Sequence, residues 1–415
     1  MGRGSHLMLV LILLGVIAGG AAGWAYGPAA GEAVGWLGEL FLNALTMLVV
    51  PLLVAAVVSG ITSLGDPRKL GSLGSWTIIY YLATVGIAVL IGLVMVNLIR
   101  PGDGVPTEGL TADPSLAEQG MGVTDVLLSL VAPNIIDAAA NTELLPIIVW
   151  SILLGVAIAI GRGRTRVIAE FFDGLNDAML RIVGWVMYLA PLGIFGLVAD
   201  RLGQAGGGVQ FWQSVSAVGL HVVTVLAGLA VHFAVLLLIL YWLGGRTWSY
   251  LSGMARAVLV ALGTASSSAT LPLTMQCARE QGVDDRAARF VLPLGSTINM
   301  DGTALYEAAA VLFIAQAYGI ELGFGGQVLV FVTASLAAIG AAGIPEAGLV
   351  TMVVVLKAVG LPLEGVGLLL AVDWLLDRFR TATNVWGDAV GAAVIDRLLS
   401  RQANGSPERE TARAP

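Results

Sequence analysis

Residues 373–388 read Asp-Trp-Leu-Leu-Asp-Arg-Phe-Arg-Thr-Ala-Thr-Asn-Val-Trp-Gly-Asp, and the rest of the chain is organised around this stretch. At helical periodicity Asp373, Asp377, Arg380, Thr381, Asn384 and Asp388 fall on one stripe roughly 100° wide. Trp374, Leu375, Phe379, Ala382 and Trp386 take the remaining circumference. The apolar runs on either side put this helix in a membrane. Each ionised residue at mid-bilayer costs about 2.5–3.5 kcal/mol, so the stripe would cost about 10 kcal/mol facing lipid. It must therefore face protein, water or a ligand. One Asp/Arg pair would read as a structural salt bridge. Six polar groups on one stripe exceed that need and point to a buried site for a small charged solute and accompanying cations.

Composition agrees with a membrane setting. Of 415 residues, 57% are hydrophobic and only 12% charged, with mean hydropathy +0.88; a soluble domain carries about 25% charged residues. The chain reads as an all-α polytopic membrane protein. A net charge of −7 gives no electrostatic footprint for nucleic acid. The single cysteine, Cys277, excludes an intramolecular disulfide, and no Cys/His spacing suits zinc. The 54 glycines fit close helix packing and broken helices in lipid. Residues 1–8 resemble a tag remnant. Residues 9–23 have the apolarity of a signal-peptide core, but the many spans that follow favour a first transmembrane helix. Residues 402–415 read as a disordered tail.

Apolar runs near 8–30, 34–64, 73–99, 123–160, 167–199 and 210–243 read as six spans. Arg68 and Lys69 follow the second, Arg162, Arg164 and Arg166 the fourth, and Arg246 the sixth, whereas residues 101–120 carry acids. The positive-inside rule then puts the N-terminus and these basic loops in the cytoplasm, and parity does the same for the C-terminus. Beyond Arg246 the pattern changes. Apolar segments 257–263 and 269–277 are split by Thr264-Ala-Ser-Ser-Ser268, each too short to cross, with Arg256 and Arg279 at the two ends. That is a re-entrant hairpin over about 250–281, entered from the cytoplasm. A second interrupted pair, 328–339 and 349–361, flanks Gly340-Ala-Ala-Gly-Ile-Pro-Glu-Ala-Gly348, which makes an outer hairpin over about 326–360. Between them a seventh span, 287–318, contains Asn299-Met-Asp-Gly-Thr303, where local unwinding would free carbonyls for a cation. The stripe helix is the eighth span. Eight transmembrane helices plus two oppositely oriented hairpins are the signature of inverted repeats around a midplane site.

The chemistry of these residues suits a dicarboxylic amino acid. Arg380 can grip a side-chain carboxylate bidentately. Asp377, one turn earlier, can face an ammonium, Thr381 and Asn384 can bond the α-carboxylate and amine, and the tip serines add donors. Asp301 and Asp388 have no obvious basic partner and suit Na⁺, a hard cation. Glu307, in the same span as Asp301, reads either as a proton carrier or as a neutral structural residue, because a lone carboxylate there is costly to keep ionised. Catalysis is disfavoured: the only histidines are His6, His221 and His232, none near the tip serines, and no nucleophile elbow surrounds them. His221 and His232 read as packed polar residues. A channel is the stronger rival, but it needs a ring of charges along an open pore rather than an enclosed bipolar site.

Four ordered stretches resemble the glutamate/aspartate:cation symporter family, which includes animal excitatory amino acid transporters and prokaryotic dicarboxylate/amino acid:cation symporters. They are Ser266-Ser-Ser-Ala-Thr-Leu-Pro272, Asn299-Met-Asp-Gly-Thr-Ala-Leu-Tyr-Glu307, Ala342-Gly-Ile-Pro-Glu-Ala-Gly348 and 373–388, within a resemblance covering about residues 8–400. The resemblance implies a homotrimer in the cell membrane. Its scaffold and trimerisation domain would be 9–72 and 123–208 (spans 1, 2, 4 and 5). Its transport domain would be 73–122 (span 3 and an extracellular loop) and 209–401. It implies substrate contacts from Ser267, Thr303, Asp377, Arg380, Thr381 and Asn384, with backbone from Ile344 and Gly348. Three sodium sites are implied: one from Gly295, Asn299, Asn384 and Asp388, one from Thr297, Met300 and carbonyls near Ala338 to Ala341, and one from Tyr81, Thr84, Asn299 and Asp301. Val85 stands where relatives commonly offer a hydroxyl to the last of these. Ala265 at the tip with Arg378 on the eighth span resembles the animal arrangement, and Glu307 matches a protonatable glutamate, which makes H⁺ and K⁺ further candidate coupling ions. Asp377 separates the chain from the C4-dicarboxylate branch, and Arg380 from neutral amino acid relatives. The expected activity is Na⁺-coupled uptake of L-glutamate or L-aspartate by alternating access, with a C4-dicarboxylate symporter as the main rival within transport and an anion or cation channel as the rival from another class.

Overall fold

The computed structural model describes residues 3–63, 67–103, 131–141, 143–204, 208–340 and 347–404, with 105 and 128. Among these the chain is helical without a strand. The order is α1 (Arg3–Tyr26), α2 (Pro28–Ser63), α3 (Pro67–Ile99), α4 (Ile135–Ala140), α5 (Leu144–Gly161), α6 (Arg166–Met187), α7 (Ala190–Gln204) and α8 (Gly208–Ile239, extended by a π turn, Leu240–Gly244). Then come α9 (Trp248–Thr264), α10 (Ser267–Glu280), α11 (Asp285–Ile298), α12 (Asp301–Ala317), α13 (Phe324–Gly340), α14 (Ala347–Ala358) and α15 (Val366–Asn404). The punctuation follows local chemistry. Proline opens α2 and α3, where its missing N–H costs nothing. Asn134 caps α4, Ser266 caps α10 and Asp284 caps α11, each side-chain oxygen accepting from a first-turn N–H.

Among the described residues three helical stretches are long and apolar enough to cross a membrane: Ser72–Ile99, Ser216–Gly244 and Asp285–Ala317. The pair Arg166–Val186 and Ala190–Asp200, bent by 56°, makes a fourth if it is one span. Leu14–Tyr26, Val50–Thr62, Val149–Gly161 and Phe324–Ile339 are shorter apolar helices. The run predicted as one span over 167–199 is thus two helices with a bend, and within 123–160 the described part is the short α4 followed by α5. The 39-residue α15 has ample length, and what removes it from the apolar set is its own polar stripe. Leu82, Leu98, Val223 and Leu238 are exposed on α3 and α8, as lipid-facing side chains are. The molecule is a multi-pass membrane protein, and its described residues fold as helices and the turns between them.

The packing divides in two. Helices α1, α2, α5, α6 and α7 contact one another, and α3 with α8 to α15 forms a second group, with fewer contacts between the two sets. In the first group Gly15, Gly19 and Gly23 form a one-turn ladder against α7. A Cβ on Gly15 or Gly19 would lie 2.5 Å from Pro191 O or 2.6 Å from Phe195 O, the close approach that small residues permit between helices in lipid. In the second group α12 is buried along nearly its whole length. Its alanines let neighbours come close; a Cβ on Gly92 of α3 would sit 2.5 Å from Leu305 O. The centre of the second group is therefore α12 lying against α15.

Candidate substrate and cation site

Three interruptions of helix meet α15. The first separates α9 from α10. Ala265 ends α9 with φ +50°, Ser266 is extended, and its hydroxyl accepts from Ala269 N at 3.1 Å. Ser267 opens α10 and is buried. Arg378 Nη1 donates to the carbonyls of Gly263 (2.7 Å) and Leu262 (3.3 Å), so a guanidinium satisfies the orphan carbonyls at the end of α9. The second lies at Asn299 and Met300, whose ψ values of 70° and 65° break the span between α11 and α12 as the motif predicted. The third separates α13 from α14. Its residues 341–346, including the predicted Ala341 and Ile344, lie outside the described residues. At its near edge Ala338 is buried and Gly348 abuts Arg380: a Cβ there would lie 2.8 Å from Nη1.

All six residues of the predicted stripe are buried. Arg380 is completely so, and it is held on three sides. Nη2 donates to Asp377 Oδ1 at 2.9 Å, Nη1 lies 2.9 Å from Asp373 Oδ1, and Cζ sits 4.1 Å above the Tyr306 ring. A buried guanidinium demands such partners, and the aromatic face adds a desolvated cation–π contact. The sequence reading assigned Asp377 to the ligand ammonium. Here Asp377 and Asp373 both lie against Arg380, so its guanidinium already has two carboxylate partners. Further along, Asn384 Oδ1 accepts from Gly302 N at 2.7 Å and its Nδ2 donates to Thr303 Oγ1 at 3.3 Å. Thr381 is buried on the same face. The α12 break is thereby tied to the middle of the stripe.

The far end of the stripe gathers oxygen ligands. Asn299 Nδ2 donates to Asp388 Oδ1 at 3.0 Å, and Asn299 Oδ1 accepts from Thr84 Oγ1 at 3.2 Å. Tyr81 Oη donates to Val291 O at 2.5 Å, and a Cβ on Gly295 would lie 2.8 Å from that hydroxyl and collide with Asp388. Thus Tyr81, Thr84, Gly295, Asn299 and Asp388 are neighbours. Asp301 differs from expectation. Predicted to lack a basic partner, its Oδ2 lies 3.0 Å from Nε2 of His232, with both side chains fully buried. His232 is therefore part of the site. It lies 69 positions away in sequence on another helix, where no periodicity could link it to Asp301. Asp301 Oδ1 has no donor among the described residues, which leaves an oxygen for a cation. Thr297 is exposed, its hydroxyl donating to Leu294 O at 2.8 Å, while Met300 is buried. Glu307 is buried on α12 beside Thr351 and within the field of Arg380. His221 is a packed residue, its ring 4.6 Å from that of Phe313. No group of three or more His, Cys, Asp or Glu residues is placed to hold a metal among the described residues.

The stripe thus holds a buried guanidinium between carboxylates at one end and, at the other, Asp388 with the neighbouring Asp301 next to a helix break. The family model for the Sodium:dicarboxylate symporter family matches residues 8–398. The chain is 38% identical over 422 residues to excitatory amino acid transporter 1 of Ambystoma tigrinum, covering 87% of this chain and 76% of that protein. It is 38% identical over 419 residues to excitatory amino acid transporter 3 of Homo sapiens, covering 88% and 79%. It is also 38% identical over 405 residues to an excitatory amino acid transporter of Caenorhabditis elegans, covering 86% and 80%. The helical membrane fold, the charged stripe at its centre and these matches together make the chain a transporter rather than an enzyme, and it belongs to the sodium:dicarboxylate symporter family.

Proposed function

We propose that the chain couples inward movement of Na⁺ to uptake of L-glutamate or L-aspartate across the cell membrane. The observation that carries this is the division of charge along α15. Arg380 is the only base on the stripe and is fully buried between Asp373 and Asp377, which suits a ligand bearing carboxylates and an ammonium. Beyond its ion pairs lie Asp388, held by Asn299, and Asp301, which meets His232 through one oxygen and has no donor on the other among the described residues; carboxylate charge buried without a full counter-ion is costly. Cations bound with the substrate would remove that cost, which is the physical basis of coupling: the site holds substrate and Na⁺ better together than either alone. The names of the relatives support an acidic amino acid as cargo.

The wider arrangement belongs to the same proposal. Eight spans and two opposed hairpins form inverted repeats, with both termini in the cytoplasm. The group formed by α1, α2 and α5 to α7 is the scaffold through which a homotrimer assembles, and α3 with α8 to α15 is the moving transport domain. Ser267, Thr303, Asp377, Arg380, Thr381, Asn384 and the backbone at Ile344 and Gly348 hold the substrate. Na⁺ ions use the three ligand sets named from the motifs, and Glu307 with Arg378 belongs to coupling of H⁺ and K⁺. The test is uptake by the purified protein in proteoliposomes, with ion gradients varied singly. Saturable aspartate uptake that requires an inward Na⁺ gradient is expected. Succinate transport without aspartate transport, or a flux that does not saturate, would overturn the reading.

A further inference from the structure

Asp388 is aimed with unusual care, and the groups that aim it do not touch it. Tyr80 on α3 donates its phenol O–H to the carbonyl of Gly387 at 2.9 Å. Tyr250 on α9 donates to the carbonyl of Ala389 at 2.7 Å. Both tyrosines are buried. Residues 387 and 389 lie about 100° to either side of 388 around a helix, so the two phenols grip α15 on opposite flanks of the carboxylate. Each of these carbonyls already lies within the helix, and the phenol takes its second lone pair. The fit is specific. A Cβ on Gly391 would lie 2.7 Å from the Tyr80 ring, and one on Gly387 would lie 2.8 Å from Asp301 Oδ2. A carboxylate about 5–6 Å from the helix axis moves about 1 Å for each 10° of helix rotation. A shift of that size decides whether an oxygen lies within reach of a small cation.

We infer that Tyr80 and Tyr250 are positioning residues for the cation site of Asp388. By fixing the rotation of α15 they set how tightly, and how selectively by ionic size, that site takes an alkali cation. The inference rests on the proposed role of Asp388 as a cation ligand. It adds two groups, one from a transport-domain span and one from the first hairpin arm, that neither the stripe nor the motifs single out. With both phenols bonded to the flanking carbonyls, the carboxylate rather than the backbone of α15 at 387 and 389 is what the cation meets.

The test compares Tyr250→Phe with wild type and with Asp388→Asn in proteoliposomes, driven separately by Na⁺ and by Li⁺. Tyr250→Phe deletes one oxygen and keeps the ring. Half-saturating Na⁺ is expected to rise about 3- to 10-fold, the range of one lost hydrogen bond. Aspartate uptake at saturating Na⁺ should stay near wild type, and the ratio of Li⁺ to Na⁺ half-saturation should change at least about twofold. A purely structural role would lower thermal stability while leaving that ratio unchanged, and this result would overturn the inference. If Asp388→Asn shifts the Na⁺ titration and Tyr250→Phe does not, the clamp alone is wrong. If Asp388→Asn leaves the titration unchanged, the role of Asp388 fails and the clamp falls with it. Should Tyr250→Phe not yield folded protein, Tyr80→Phe reads the same quantities from the other flank.

Discussion

The two ends of the polar stripe on α15 solve the problem of buried charge in opposite ways. At residues 373–380 a guanidinium answers two carboxylates within the helix and lies over an aromatic ring. From 384 to 388 the partners are an amide and an imidazole: Asn299 on Asp388, and His232 on the neighbouring Asp301. The first end is self-sufficient, and in the function proposed above a ligand displaces one of its own contacts to enter. The second has no guanidinium or ammonium among the described residues and, in the function proposed above, gains by binding a cation. A symporter needs both behaviours, with exchange of partners at one end and charge completion at the other. Asn384, bonded to Gly302 and Thr303 at the break between α11 and α12, is the physical link between them.

Removing the base from the self-sufficient end is the harshest way to break this comparison. Arg380→Ala leaves Asp373 and Asp377 buried with no counter-charge, and deletes the only group on the stripe that can pair with a second carboxylate. Truncating a buried hydrogen-bonded charge costs about 3–5 kcal/mol, so aspartate uptake should fall by more than about 100-fold. Binding of a neutral amino acid, measured by competition, should survive better than binding of aspartate. Unchanged aspartate affinity would mean that the guanidinium does not meet the substrate. The cation-poor end is tested next. Asp388→Asn keeps the shape and the contact to Asn299, but removes the charge. Half-saturating Na⁺ should rise at least about tenfold, while aspartate affinity at saturating Na⁺ changes by less than about threefold. Superimposable Na⁺ titrations would sink the assignment of this end.

What the sequence could say about these two ends depended on spacing. The stripe is a regularity of 3.6 residues, and its burial follows from the cost of charge in lipid, so every member was readable. The breaks at 265–266 and 299–300 were readable because serine and glycine interrupt runs that are otherwise apolar. Partners supplied from other helices were not. His232 and Asp301 share no motif or period, and only the packing of α8 on α12 brings them together. The pairing of Arg380 with Asp373 as well as Asp377 was hidden for a different reason: both aspartates lie within reach on the same face, and side-chain rotamers, not spacing, decide which is used. Tyr80 and Tyr250 gave no signal at all, because a tyrosine bonded to a backbone carbonyl looks in sequence like any core aromatic.

Glu307 sharpens the comparison with a smaller effect. It follows Tyr306 on α12 at the Arg380 end, buried beside Thr351 and within the field of Arg380. If it carries a proton inward with substrate, acid outside should favour net uptake by mass action, and an internal K⁺ should speed the return of the empty site. Glu307→Gln is fixed in the neutral form. Net aspartate uptake should then lose its dependence on external pH and internal K⁺, while aspartate homoexchange stays within about threefold of wild type, since that half-cycle needs no proton release. A wild type that responds to neither ion would show that Glu307 is structural and that Na⁺ alone drives the cycle.

The smallest effect is expected at Arg378, whose charge belongs to neither end. It follows Asp377 in sequence yet points off the stripe, donating to the carbonyls of Leu262 and Gly263 that close α9. A cation at a helix C-terminus contributes about 0.3–1 kcal/mol, and up to about 2 kcal/mol when partly buried. Arg378→Met keeps the length and apolar bulk of the side chain and removes both donors. The break around Ala265 between α9 and α10, which holds a left-handed conformation at φ +50° without glycine's freedom, then loses its anchor. Amide hydrogen exchange over 262–269 should accelerate several-fold, the signature of cheaper local opening. Aspartate affinity and half-saturating Na⁺ should both stay within about threefold of wild type, because the charge balance at each end of the stripe is untouched. A shift in Na⁺ half-saturation as large as that of Asp388→Asn would place the Arg378 charge within the cation-binding end. The division of α15 into one neutralised and one charge-deficient half would then be wrong.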